Sequence, residues 1–442
     1  MADSLFGQDY EPAGQAQLEV TVRARSASCA VFSGHKWRQQ KQICKTTMKK
    51  HTKKETKKVL LTAALGAAAA CNTHAYDLTL GTNIPPITVH GTASQGYLLS
   101  SDYNYLANDT KNGSFQFSEF GLNVSMNPFP RTRVAVQGFD FDVGNAGQYD
   151  PFLDYALIEY TFNDKVGLRA GRIRRPAGIY NDIQDIDLAR TFVLLPQGMY
   201  DARWRDWSAG LDGAEVFGDI QLPTHKLGDI SYAFYAGQVE MQENGGIARY
   251  IDGTGMAMVS TLDDCPAYGG QLWYNTPVDG LRFGASISYL ANFGFTVSSG
   301  GVLAHSIGDS LTQQYSAEYL WKNWTFQAEF QTYDYTGKTH YSLSFIPEGS
   351  SNDNPDSWYG AVSYRFNKHV QAGTYYSAWV DAGQKQNDIA VSLRLDLTDW
   401  WVFKVEGHAI EGTGLLRDMV DNPHTSNNSY WYMLAVKTTF SF

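Results

Sequence analysis

Cysteine is almost missing from this chain. It has four, and Cys29, Cys44 and Cys71 fall within the first 75 residues, leaving Cys265 alone in the remainder. No disulfide framework and no cysteine-rich metal site can be built inside one such chain. Long apolar runs are missing too. The strongest, Val59–Ala70, has 12 residues, against the roughly 20 that a membrane-crossing helix needs. Basic charge is scarce beyond the N-terminal segment. The first 75 residues hold 12 of the 35 basic and 5 of the 45 acidic side chains, so residues 76–442 carry 23 and 40, a net charge of −17. A surface that acidic argues against nucleic acid as a partner, because phosphates need basic patches. Catalytic motifs are lacking as well: there is no His-Glu-x-x-His, nucleophile elbow or phosphate-binding glycine loop. Glu348, Asp353 and Asp356 lie in one loop but are spaced unlike a calcium loop, and their Asn- and Ser-rich surroundings read as a mobile surface loop. No cofactor, metal or enzymatic activity is expected.

What is present begins with an export signal. From Met48, six lysines (Lys49, Lys50, Lys53, Lys54, Lys57, Lys58) precede the apolar run, and Thr73-His74-Ala75 offers small residues at the two positions a signal peptidase reads. A leader at 48–75 sits oddly far into the chain. Residues 1–47 are therefore expected to be an upstream extension from start-codon choice, and the mature protein is expected to begin near Tyr76. Ala68-Ala69-Ala70-Cys71 is a weaker rival, a lipoprotein-like box without the usual Leu three residues before its Cys.

The rest of the chain alternates. In the last strand Tyr432, Leu434, Val436, Thr438, Phe440 and Phe442 share one face, and Met433, Ala435, Lys437, Thr439 and Ser441 share the other. Such period-two patterning puts one face against an apolar medium and the other against water. Leu281, Phe283, Ala285, Ile287 and Tyr289 oppose Arg282, Gly284, Ser286 and Ser288 in the same way. Trp401, Phe403 and Val405 oppose Val402, Lys404, Glu406 and His408. His408 reads as a wetted residue on a polar face.

Strands are expected at about 86–99, 113–128, 131–143, 151–163, 165–174, 206–219, 227–240, 266–277, 280–291, 310–321, 323–336, 356–367, 368–380, 386–397, 399–411 and 428–442. The even links are mostly tight: Asn127-Pro128-Phe129-Pro130, Asn163-Asp164, Val278-Asp279-Gly280, Lys322-Asn323, Asn367-Lys368 and Thr398-Asp399 have turn chemistry. The odd links are mostly long. Tyr319, Trp321, Trp358, Phe366, Trp400 and Trp401 sit near strand ends, where membrane barrels carry aromatic girdles. A soluble sandwich would not need this asymmetry. The fold expected is an all-β transmembrane antiparallel barrel of about sixteen strands occupying 76–442.

A terminal strand ending on Phe440 and Phe442, a sixteen-strand rhythm and a longest link at Arg175–Arg205 make the chain resemble the Gram-negative outer-membrane porins, the general and phosphate-selective families above all. Lys437 departs from the family's insertion signal, which often has Gly there. The resemblance implies location in the bacterial outer membrane and contact with lipid, lipopolysaccharide and the barrel-assembly machinery. It also implies a homotrimer, and a loop after the fifth strand that folds inward to narrow the lumen. A sixteen-stranded barrel is wide enough for water, so passive diffusion of small hydrophilic solutes and ions is the expected activity. Arg172, Arg174 and Arg175 at the end of the fifth strand are candidates for the constriction, opposite Asp182, Asp185, Asp187 and Arg190 on the loop. Opposed acidic and basic walls would set up a transverse field. Arg282, Glu318, Glu329, Arg365, Arg394, Lys404 and Glu406 are expected to line the lumen. Their mixed signs imply weak charge selectivity. The alternative is a non-conducting barrel, plugged by the same loop, that serves as an anchor or a surface-binding protein.

Overall fold

A computed structural model describes residues 21–25, 75–79, 81, 84–144, 146–224, 227–243, 245–253, 257–416, 422 and 428–442. Sixteen antiparallel strands form one closed sheet: β1 Ile87–Ser100, β2 Phe117–Met126, β3 Thr132–Val143, β4 Phe152–Asn163, β5 Val166–Arg174, β6 Gly210–Gln221, β7 Asp229–Val239, β8 Cys265–Asn275, β9 Leu281–Ser299, β10 Val302–Trp321, β11 Trp324–Tyr341, β12 Asp356–Arg365, β13 Val370–Asp381, β14 Gln384–Thr398, β15 Trp401–Gly412 and β16 Tyr430–Ser441. Closure comes from β16 on β1, in register from Met433↔Ser100 to Ser441↔Thr92. Closing the sheet leaves no edge, so every ladder group finds a partner without water. The expected leader at 48–75 and the extension at 1–47 lie almost wholly outside the described residues. What is described of them is Thr21–Arg25, which pairs with Ala75–Thr79, and that strand pairs in turn with the start of β1.

The alternation sets the two faces. Phe283, Ile287, Phe330, Ile389, Val391, Leu393, Tyr432, Leu434 and Phe440 stand exposed on the outer face, while Arg282, Glu329, Arg394, Lys404 and Glu406 are buried inside. A one-residue slip in any strand would exchange the two sets. At the short-turn end, Trp401 stacks on Phe440 with ring centroids 5.3 Å apart, and Trp400 lies 6.2 Å from Trp401. Phe442 lies just past β16 and closes the cylinder. Its backbone exchanges hydrogen bonds of 2.9 and 3.1 Å with Gly91, and its ring meets Tyr76 edge-on at 5.6 Å. A Cβ on Gly91 would lie 2.3 Å from Cζ of that ring. Gly91→Val should therefore displace Phe442 and cost about 1–3 kcal/mol. The check is the folded fraction by heat-modified electrophoretic mobility, which should fall below that of the unchanged protein.

Two of the links expected to be long are not loops. β9 and β10 run on as a hairpin to the turn Gly300-Gly301, whose φ values of 55° and 83° suit glycine. β11 continues to Tyr341, and Gly349–Asp353, expected as mobile loop, pairs back on Tyr335–Thr339. The register shift between Leu290 and Phe293 and the polar residues of Gly349–Asp353 obscured these strands.

Candidate functional site

The long link between β5 and β6 enters the barrel. Three short 3-10 turns, Asn181–Ile183, Asp187–Ala189 and Ala202–Trp204, carry it across, and the helical turn Arg205–Ser208 returns it to β6. Its backbone is held by side chains from around the wall. Gln271 donates to Gly178 O at 2.7 Å, and Ile179 N donates to Glu329 at 2.8 Å. Arg394 donates to Leu188 O and Arg190 O at 2.8 and 2.9 Å, and Ser357 to Gly198 O at 2.8 Å. Glu406 takes Val193 N–H and Leu194 N–H on its two oxygens, at 2.8 and 2.9 Å. A carboxylate receiving two backbone donors in a water-poor site makes strong, charge-assisted bonds.

Asp187 is the centre of the docking. Lys404 Nζ lies 3.0 Å from Oδ1, Arg190 Nε 3.2 Å and Lys437 Nζ 3.6 Å, and Thr439 donates to Oδ2 at 2.7 Å. Lys404 also donates to Asp187 O and Phe192 O, at 2.8 and 3.2 Å. Lys437 bridges on to Glu119 at 2.6 Å. This accounts for the lysine that departs from the insertion signal: it closes a buried ion cluster between the last strand and the loop. Burial works against ionisation of Asp187, but Lys404, then Lys437 and Arg190, outweigh it and hold the carboxyl well below the ordinary range.

A depressed carboxylate contributes stability that is present above its unfolded pKa, about 3.9, and lost only as pH falls through the lower folded value. The loop should consequently stay docked from pH 7 to pH 4. Amide-exchange protection across residues 187–194, corrected for intrinsic rate, should be equal at the two values. A loss of protection between them would contradict the latch.

The sequence-derived constriction is only partly assembled. Arg174 turns into the lumen and pairs with Asp154 and, at 2.5 Å, with Asp185. Asp182 lends Arg174 its backbone oxygen at 2.9 Å. Arg175 is buried and donates to Ser208 O at 2.9 Å and Ser288 at 3.4 Å. Arg172 is a correction. It shares the outer face with its ladder partner Asp212 and pairs with Asp212 and Glu240 at 3.4 and 2.9 Å. Strand alternation puts Ile173 inward instead.

The opposed-wall field is a second correction. Loop acids and wall cations meet directly and cancel. Lys404, Glu406 and Lys437 are 0%, 0% and 1% exposed, so they are latch groups rather than wetted lining. His408 is a third. It is buried, with Nδ1 2.9 Å from Asp388 and Nε2 3.1 Å from Glu406.

Arg282 pairs with Glu318 at 2.8 Å, and Arg365 and Arg394 share Asp396 at 2.7 Å each. Glu329 anchors the loop from β11, taking Tyr200 and Tyr359 hydroxyls at 2.5 and 2.8 Å besides Ile179 N–H. Two features escaped the sequence reading. Arg205 reaches back to Asp154, and the lumen has an apolar core in which Val193 and Leu194 pack with Phe117, Phe139, Phe141, Trp379 and Trp431. The apolar run Phe192-Val193-Leu194-Leu195 inside a loop, and Trp431 and Met433 on an inward face, were the available signals.

No protein-family model matches the chain, and no curated protein matches it in sequence. In three dimensions it is similar to the outer-membrane expressed OmpT of Vibrio cholerae, with a TM-score of 0.51 and 9% identity over 82% of this chain and 99% of that one. It is also similar to the outer membrane channel DcaP of Acinetobacter baumannii, TM-score 0.48 and 8% identity over 82% and 99%. Salmonella typhi OmpF aligns with a TM-score of 0.48 and 12% identity over 81% and 98%. The first of these likenesses establishes a shared outer-membrane barrel fold; at such identity it speaks to the fold alone.

Proposed function

We propose that this protein is an outer-membrane porin in which the loop between β5 and β6 forms the constriction of a passive, weakly charge-selective pathway for ions and small hydrophilic solutes. The observation that carries the reading is the pairing of a closed sixteen-stranded wall, apolar outside and rich in polar groups inside, with a long link that crosses its lumen. Strand number makes the cylinder wide enough for water, and the inserted loop sets its waist. The reading includes no catalytic step. Export by a leader at 48–75, a mature chain of 76–442, a homotrimeric assembly, and contact with lipopolysaccharide and the barrel-assembly machinery belong to it. Residues 1–47 stand as an extension outside the mature protein.

One observation favours a second reading, a barrel that does not conduct. Arg394, Lys404 and Glu406 on β14 and β15 are bound to the loop instead of facing water. Reconstitution of the folded protein in planar bilayers separates the two. Discrete conductance steps are expected for the porin; a folded but silent protein would leave the plugged anchor.

A further inference from the structure

The outer wall carries a groove that the barrel itself does not fill. Ala317, Ala328 and Gly360 stand in one row across β10, β11 and β12. Larger side chains rise on both sides of that row: Tyr319, Phe326 and Val362 toward the short turns, and Tyr315, Phe330 and Trp358 away from them. The groove runs on over Thr374, Tyr376 and Ile389, has a volume of about 550 Å³ and is apolar almost throughout. A Cβ built on Gly360 would meet nothing within 4 Å. Glycine inside a strand weakens it, and often marks a place where a ligand approaches closely.

At the short-turn end of the groove the chemistry changes. The β10–β11 and β12–β13 turns lie side by side, with Arg365 N donating to Asn323 O at 2.9 Å, and they carry exposed Lys322 and Lys368. Neither turn holds an acid, and neither lysine forms an ion pair among the described residues. Lys322 Nζ sits 4.8 Å over the Trp321 ring, and Trp324, Tyr364 and Phe366 continue the aromatic rim with centroid spacings of 4.6 and 4.9 Å. Lys322 holds φ 55°, a left-handed conformation that glycine takes at less cost. A lysine there gives up some backbone stability for a cation at the rim. Short turns face the periplasm in barrels of this kind, and aromatic belts mark the headgroup level. From Trp324 to Ala328 the strand rises about 13 Å, at roughly 3.3 Å per residue. That is less than half of a hydrocarbon core about 30 Å thick, so rim and groove fall within the reach of one lipid.

We propose that β10–β13 form a binding site for one anionic phospholipid of the inner leaflet, its phosphate held by Lys322 and Lys368 and an acyl chain laid in the Gly360 groove. The proposal rests on the outer-membrane reading and is independent of whether the barrel conducts. Charge complementarity selects this occupant. Each lysine at the membrane surface favours an anionic headgroup by about fivefold in affinity, while the apolar groove takes the tail. A second copy of this chain, meeting the face about a two-fold axis, would instead bring the same lysines together.

The test uses the full chain in a non-ionic detergent, with folding of every variant verified by heat-modified mobility. Native mass spectrometry with added phosphatidylglycerol or phosphatidylethanolamine gives the affinity for each. The unchanged protein should bind one phosphatidylglycerol more tightly than phosphatidylethanolamine. Lys322→Asn, which suits the positive φ, and Lys368→Gln should each weaken phosphatidylglycerol about fivefold and leave phosphatidylethanolamine as it was. Gly360→Leu, which fills the groove, should weaken both lipids alike. Lys165→Gln, on the β4–β5 turn away from the groove, should change neither. Equal affinity of the unchanged protein for the two lipids overturns the proposal, as does phosphatidylglycerol binding unaltered by both lysine variants. Unaltered lipid binding in Gly360→Leu overturns it too, and a smaller assembly in that variant then gives the groove to a second copy. Should Gly360→Leu fail to fold, the lysine variants and the headgroup preference decide. A chain that folds and stays dispersed without detergent sinks the outer-membrane reading and the site together, whereas a detergent-requiring barrel without headgroup preference removes the site alone.

Discussion

In the proposed channel, Asp187→Asn should give larger and noisier conductance steps than the unchanged protein. The substitution keeps the shape of the side chain and the Thr439 contact but removes the charge that holds Lys404, Lys437 and Arg190. Three buried cations would then lie together, with Glu119 still paired to Lys437. Breaking a buried pair from one side costs about 3–5 kcal/mol, since the remaining charge stays desolvated. The barrel can relieve this without unfolding. Its ladder is independent of the loop, so residues 187–194 can leave the β14–β16 wall and let water reach the lysines. Single-channel recording checks the outcome directly. Unitary conductance equal to that of the unchanged protein would mean that the loop stays seated without the cluster, held by its other wall contacts, Glu406 and Arg394 among them. Lys404→Met is the matched partner. It removes one cation and adds no uncompensated charge of its own, so the double variant should lose less than the sum of the two.

Arg174→Glu is expected to abolish folding rather than to shift ion preference. Read from sequence, Arg174 belongs to an exposed basic wall, and reversing it would push selectivity toward cations. In the structure its guanidinium lies between Asp154 and Asp185, donates to the backbone of Asp182, and stacks 5.1 Å over Tyr155. Asp185 is held below the ordinary carboxylate range: burial resists its charge, and Arg174, then Arg205, overcome that resistance. A glutamate here would gather three carboxylates in a site closed to water, with Arg205 as the nearest cation. Loss of the pair and the new repulsion together should exceed about 4 kcal/mol. The heat-modifiable band should disappear for Arg174→Glu but survive, weakened, for Arg174→Met. A folded Arg174→Glu protein with an altered reversal potential would restore the basic-wall reading and refute the buried pair.

Much of the architecture was legible because a barrel repeats one local rule. Each strand must alternate, since lipid lies on one side and a polar interior on the other, and each tight turn needs residues such as Asn163-Asp164 or Lys322-Asn323. Those demands act within about ten residues, so strand number and the inward set Arg282, Arg394, Lys404 and Glu406 follow from the order of residues, while the insertion of the longest link was implied only by the resemblance. The rule weakens where the environment does. The ladder shifts register between Leu290 and Phe293, and Val302–Ser310 mixes polar and apolar residues on both faces, so the pattern there looks like loop.

The order of residues specifies a closed cylinder of about sixteen strands and one link longer than the others; that the link folds inward was implied by the resemblance to porins. Only the tertiary structure decided which charges meet. Glu119 and Lys437 are 318 residues apart, and Asp187 and Lys404 are 217 apart; alternation says that each points inward but not what it faces across the lumen. Whether an inward arginine is wetted or latched depends on the path of one loop through the barrel. That path is set by long-range hydrogen bonds and burial, which no local pattern encodes.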